Sequence, residues 1–217
     1  MKDAKTILKR EIVSPGELRV REKGEGEESG RTIEGYAILF DTPSGSLYED
    51  EERVIREIID RSAVTQELLD SSDIKFTMFH DRKLLLARSK KGSGSLSYKL
   101  DEKGVAFSFE APHTPDGDKA LELIRTGIID GCSFAFSTRY YDGDCVERTV
   151  KNVNGRAETT CRVKVILDLY DMTITPDPAY PLTEVAVREL VEGEKAEPEP
   201  EPEDLRSYFR EKRRGLR

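Results

Sequence analysis

Ile128-Ile129-Asp130-Gly131-Cys132-Ser133-Phe134-Ala135-Phe136-Ser137 follows a short predicted helix ending at Gly127, and a strand is predicted from just after Gly131. Strand side chains alternate between faces, so Cys132, Phe134 and Phe136 fall on one side and Ser133, Ala135 and Ser137 on the other. The apolar set can pack into a core. The opposite set is small, so another group can approach the Ser133 hydroxyl closely. A nucleophilic serine needs that exposure, and an ordinary half-buried strand has the same pattern.

Outward from this strand, alternation and turn residues predict more of the same. Ile33–Phe40, Val54–Ile59, Ile74–His80 and Leu84–Ala87 read as strands. Leu96, Tyr98 and Leu100 alternate with polar residues, Asp101-Glu102-Lys103-Gly104 makes a hairpin connection, and Val105, Phe107 and Phe109 form the return. Ser62 is placed as the cap of a short helix running to about Leu69. Asp116–Thr126 reads as an amphipathic helix through Ala120, Leu121, Leu123 and Ile124. After Ser137 come a polar excursion, around Asp142-Gly143-Asp144 and Asn152-Val153-Asn154-Gly155, and then one or two strands within Val163–Ile174. Pro176 and Pro178 end that run, and Thr183–Leu190 reads as a closing helix.

The fold class is therefore mainly β with flanking helices (α+β). Residues 1–31 are charged and glycine-bearing and read as a flexible N-terminal segment, with order expected near Thr32. Residues 32–190 form the predicted domain. Residues 191–217 read as a disordered Glu/Pro-rich linker followed by a basic tail, in which Tyr208 and Phe209 sit among arginines. That tail is either a solvated end or a docking peptide for an acidic scaffold or shell surface.

The 217 residues suffice for one real core. A formal net charge of -8 argues against nonspecific nucleic-acid binding by the body of the protein. No apolar run is long enough for a membrane span and no signal-peptide pattern is visible, so cytoplasmic synthesis is expected. Cys132, Cys145 and Cys161 lack CxxC spacing and read as reduced thiols. With His80 and His113 the only histidines, no metal centre is expected, and no glycine-rich phosphate loop implies a cofactor. Glu49-Asp50-Glu51-Glu52 reads as a solvated loop.

Three residues remain that suit acyl transfer. His80 ends Phe76-Thr77-Met78-Phe79-His80-Asp81. Strict alternation places it with Ile74, Phe76 and Met78 as a core histidine, whereas its position at the strand end lets it leave that face as a general base. Asp171 alternates with Tyr170 and Met172, as Ser133 does with Cys132 and Phe134; it is either a surface acid or a partner for the imidazole. Asp168 shares parity with Tyr170 and is the weaker candidate. His113, in Pro112-His113-Thr114-Pro115, is either a turn residue or an alternative third member. Cys132 is an alternative nucleophile that alternation turns into the core.

Gly35-Tyr36-Ala37-Ile38-Leu39-Phe40, Arg56-Glu57-Ile58-Ile59, Phe79-His80-Asp81, the Gly127–Phe136 stretch, and Tyr170-Asp171-Met172-Thr173-Ile174 with Pro178-Ala179-Tyr180 occur in a characteristic order. In that order, over roughly residues 33–190, the chain resembles the HK97-type prohead (capsid maturation) serine protease family of tailed phages. That family is related in fold to the herpesvirus capsid assembly proteases. The resemblance implies a closed β-barrel and a serine endopeptidase that cuts scaffold or capsid precursors, and itself, in the host cytoplasm within the assembling prohead. By analogy it implies self-association, with a homodimer one form of it; the net charge and the lack of a long apolar run leave no specific nucleic-acid or membrane partner expected. By position the resemblance assigns Ser133 as nucleophile, His80 as base and Asp171 as third member. The chain departs from the family pattern in having Asp171 where glutamate is usual and Ala135 where glycine is usual. The shorter acid is the main argument for the rival reading, a non-catalytic β-barrel that assists assembly by binding alone.

Overall fold

The computed structural model describes residues 7–14, 18–21 and 30–176. The Pro178–Tyr180 motif, the Thr183–Leu190 helix, the linker and the basic tail lie outside them. Strands dominate: β1 (Ile7–Ser14), β2 (Arg19–Val20), β3 (Thr32–Leu39), β4 (Tyr48–Glu49), β5 (Arg53–Ile59), β6 (Asp73–Met78), β7 (Asp81–Lys90), β8 (Ser93–Gly94), β9 (Ser97–Leu100), β10 (Gly104–Glu110), β11 (Gly131–Arg139), β12 (Val146–Val153), β13 (Arg156–Val163) and β14 (Asp168–Thr175). The helices α1 (Gln66–Ser71) and α2 (Pro115–Arg125) are the only α-helices among the described residues.

These strands form three sheets. One has six strands in the order β1-β11-β14-β6-β7-β8; the others run β2-β3-β10-β9 and β12-β13-β5-β4. The expectation of a closed barrel is overturned here, because among the described residues no sheet returns to pair with its own first strand. Among the described residues, strand pairing passes between the two smaller sheets only as isolated bridges, Phe40 with Ile59 and Pro43 with Ile58. What joins the sheets is side-chain packing across their inner faces. Phe76 of β6 meets Phe107 and Phe109 of β10, with ring centroids 4.5 and 4.6 Å apart. Aromatic pairs at this spacing add about 0.5–1.5 kcal/mol beyond the area they bury.

Order begins earlier than Thr32. β1 pairs antiparallel with β11 along its whole length, and β2 pairs with β3. β11 thus lies inside the sheet, and every residue from Gly131 to Thr138 is buried. The small-residue side of this strand is covered, contrary to the open face that alternation predicts. The cover comes from chain segments far away in sequence: Ser137 donates to Asp168 Oδ2 at 3.0 Å, and Ser133 lies beneath His80.

Two local details also differ from expectation. Ser62 does not cap the first helix. It sits in a 3-10 turn, Arg61–Ala63, capped by Asp60, and Thr65 caps α1 by accepting from the Leu68 N–H at 3.1 Å. Val64 is extended and separates the two, so a single helix cannot run through. The polar excursion after Ser137 contains a hairpin, β12 with β13, whose turn places Asn154 and Gly155 at positive φ. Asn-Gly is the favoured pair for a type I′ turn. Its flanking strand β12 is almost wholly exposed, so it lacks the apolar alternation by which strands are recognised.

Candidate active site

The site is built on three adjacent strands of the six-stranded sheet, β11, β14 and β6. In the antiparallel ladder of β11 and β14, Ser133 stands opposite Thr173 and Ala135 opposite Asp171. Cross-strand partners share a face, so Ser133, Ala135, Asp171 and Thr173 all point the same way. Ser133 and Asp171 are then diagonal neighbours, about 7–8 Å apart at Cα in such ladders. An imidazole with a hydrogen bond at each end fits that gap, and the small Ala135 side chain leaves room for it.

The imidazole arrives from β6. That strand pairs parallel with β14 and ends at Met78, so His80 escapes the alternation that would have buried it with Phe76 and Met78. Met78 pairs with Asp81 of β7, and Phe79 and His80 form the two-residue loop between them, with φ of 57° and 55°. Positive φ at both loop positions is the type I′ arrangement, normally the preserve of Asn and Gly. For bulky residues it costs on the order of 1–3 kcal/mol each, and it persists only where the surroundings enforce it. Here β14 does so. The Phe79 N–H donates to the Ile174 carbonyl at 3.1 Å, and the His80 N–H donates to Thr173 Oγ1 at 3.0 Å.

So held, His80 connects the other two residues. Its Nδ1 lies 2.6 Å from Asp171 Oδ1 and its Nε2 lies 2.9 Å from Ser133 Oγ. An ionised carboxylate only accepts, which puts the ring proton on Nδ1 and leaves Nε2 as acceptor for the serine O–H. The side chains of His80 and Asp171 are 12% and 4% exposed, and Ser133 is 1% exposed. Little water competes for these bonds.

The shortness of Asp171 does not prevent contact. Immediately before it, the β11–β14 register shifts, with Phe136 opposite Leu169 and Tyr170 as the extra residue. A bulge of this kind bends its strand and re-aims the side chains beside it. The 2.6 Å contact removes the argument for a non-catalytic protein that rested on the missing methylene.

The competing residues lie elsewhere. Asp168 accepts from Ser137 and, at 3.5 Å, from Tyr170. His113 precedes the Thr114 cap of α2, and both ring nitrogens of His80 are already engaged without it. His113→Ala is expected to keep peptidase activity within about twofold of the parent, since surface changes of this kind are worth under ~0.5 kcal/mol. A loss of a hundredfold would bring His113 into the site. Cys132 is fully buried, and burial pushes its thiol well above the ordinary range. Iodoacetamide at neutral pH is therefore expected to leave native activity untouched, whereas inactivation matched by alkylation of Cys132 would make it the nucleophile.

Among the described residues, no group of three or more His, Cys, Asp or Glu side chains is arranged to hold a metal ion. No helix among them is long and apolar enough to cross a membrane. The model of the caudovirus prohead serine protease family matches residues 16–196. The chain belongs to that family. This prohead protease is therefore a peptidase of phage capsid maturation, acting in the assembling prohead. It is similar to the capsid assembly protease of bacteriophage T4, at 12% identity and a TM-score of 0.37, over 76% of this chain and 96% of that one. No curated protein matches it.

Another residue of β14, Thr173, also belongs to the site through its bond to the His80 N–H. The sequence signal for it is the parity it shares with Asp171, two positions away on the same strand face.

Proposed function

We propose that the prohead protease is a serine endopeptidase in which Ser133 is the nucleophile, His80 the general base and acid, and Asp171 the group that orients the imidazole. The observation that carries this reading is the continuous chain from Ser133 Oγ through His80 to Asp171, with contacts of 2.9 and 2.6 Å. Ser133 Oγ attacks the scissile carbonyl carbon while its proton passes to His80 Nε2. The tetrahedral intermediate collapses as Nε2 returns that proton to the departing amine, leaving Ser133 acylated. Water then attacks the ester by the same proton route and frees the serine. Asp171 stays ionised throughout and stabilises the imidazolium. A positioned base of this kind contributes about 10²- to 10⁴-fold.

The substrates of this reading are scaffold or capsid precursor polypeptides, together with the protease's own chain. Its catalytic domain takes in residues 32–190 with the added strands β1 and β2. The test has two parts. The pure chain is incubated with its cognate capsid precursor and the fragments are mapped by mass spectrometry. A fluorophosphonate is then used to label the chain, and the modified residue is identified. Discrete precursor cleavage and phosphonylation at Ser133 are expected; labelling at any other residue would overturn the assignment.

A further inference from the structure

The proposed catalytic chain depends on a turn that its own residues do not favour, and one hydroxyl holds its His80 end. Thr173 Oγ1 accepts the His80 backbone N–H at 3.0 Å. It also accepts the Thr77 hydroxyl at 3.0 Å, and it donates its own proton to the Thr77 carbonyl at 2.9 Å. A hydroxyl has one proton and two lone pairs, so all its capacity is used. Thr173 and Thr77 are both fully buried, and nothing in the neighbourhood exchanges these bonds for water. On β14, Thr173 stands opposite Ser133 and two residues from Asp171. One strand therefore carries both the acid that fixes the imidazole ring and the hydroxyl that fixes the imidazole's backbone.

We propose that Thr173 is a positioning residue for the peptidase reaction: its hydroxyl pins the left-handed Phe79-His80 turn, so that Nε2 sits at bonding distance from Ser133 Oγ. This inference rests on the assignment of His80 as base. Without the Thr173 oxygen the His80 N–H loses its partner in a part-buried site, and the turn loses one of the two backbone N–H bonds that tie it to β14. The ring then samples positions displaced from the serine, and displacements of about 1 Å cost roughly 10²-fold in rate.

The test compares Thr173→Val, which keeps the shape and removes the hydroxyl, with Thr173→Ser, which keeps the hydroxyl. The readout is the labelling kinetics of the full chain with a fluorophosphonate, in which Ser133 Oγ bonds to phosphorus, fluoride leaves and His80 takes the proton. Thr173→Val is expected to lower the limiting labelling rate about 10²-fold with little change in the probe's half-saturating concentration, and Thr173→Ser to stay within threefold of the parent. A Val variant that labels at the parental rate, or a Ser variant that falls as far as Val, overturns the proposal. A measurement on the unsubstituted turn covers the case in which Thr173→Val does not fold. In the full chain carrying Ser133→Ala, which prevents self-cleavage, the His80 amide is expected to resist hydrogen exchange as strongly as the amides of β6. Exchange at the rate of an open loop overturns the proposal. Because amide protection does not depend on activity, a failure of the serine assignment and a failure of the Thr173 inference give different results.

Discussion

Replacing Ser133 with alanine is expected to reduce cleavage of the capsid precursor by at least about 10⁴-fold, with the fold intact. The oxygen that His80 Nε2 meets at 2.9 Å is then gone, and the imidazole has no proton to take. No neighbouring group replaces it. Cys132 points to the opposite face of β11, and Asp171 stays on the other ring nitrogen of His80, Nδ1. The structural cost is small, because one hydrogen bond is lost from a site whose shape is unchanged. About 1 kcal/mol is expected, read as a shift of a few degrees in Tm. The decisive measurement is the rate at which mapped fragments of the precursor appear. Processing within tenfold of the parent would remove Ser133 from the mechanism.

The second large effect is expected at Asp171. Asp171→Asn keeps size and hydrogen bonding but can present an amide N–H to Nδ1, which moves the ring proton to Nε2. That nitrogen then cannot accept from Ser133, and kcat is expected to fall about 10⁴-fold. Asp171→Glu keeps the charge but adds a methylene to a side chain that is 4% exposed and already 2.6 Å from its partner. The ring must move to make room, and a loss of about 10²-fold is expected even though glutamate is the acid that the family resemblance leads one to anticipate here. Parental kcat in the asparagine variant would show that the carboxylate is dispensable. Full activity in the glutamate variant would show that the bulge at Tyr170 is not matched to aspartate.

Much of this site was legible because its residues lie in strands with clean alternation. Ser133 among Phe134 and Phe136, and Asp171 among Tyr170 and Met172, each stood out as a polar group beside a run of core positions. His80 was ambiguous because parity assigned it to the core, and only the end of β6 at Met78 frees it. That freedom comes from a type I′ turn made of Phe79 and His80, which no turn preference predicts. The turn exists because β14 holds it, and β14 lies almost a hundred residues downstream, so local sequence carries no trace of the constraint. The same separation hid the burial of Ser133, since the chain that covers β11 is brought there by tertiary structure. The open sheets were missed for a different reason: alternation fixes which face of a strand is buried, and it is silent on which strands are neighbours. β1 was missed because its charged residues gave no apolar rhythm.

The position of β14 in its sheet has a bearing on synthesis. The strand is the last of the described elements to leave the ribosome, yet it inserts between β11 and β6, which were made earlier. Until it does so, Ser133 and His80 sit on segments that nothing yet bridges, and Asp171 has no place beside them. A nascent chain is thus expected to be hydrolytically inert up to about Thr175, and to acquire its cutting power in one step when the closing strand docks. For a peptidase of capsid maturation, the order of strands acts as a timer.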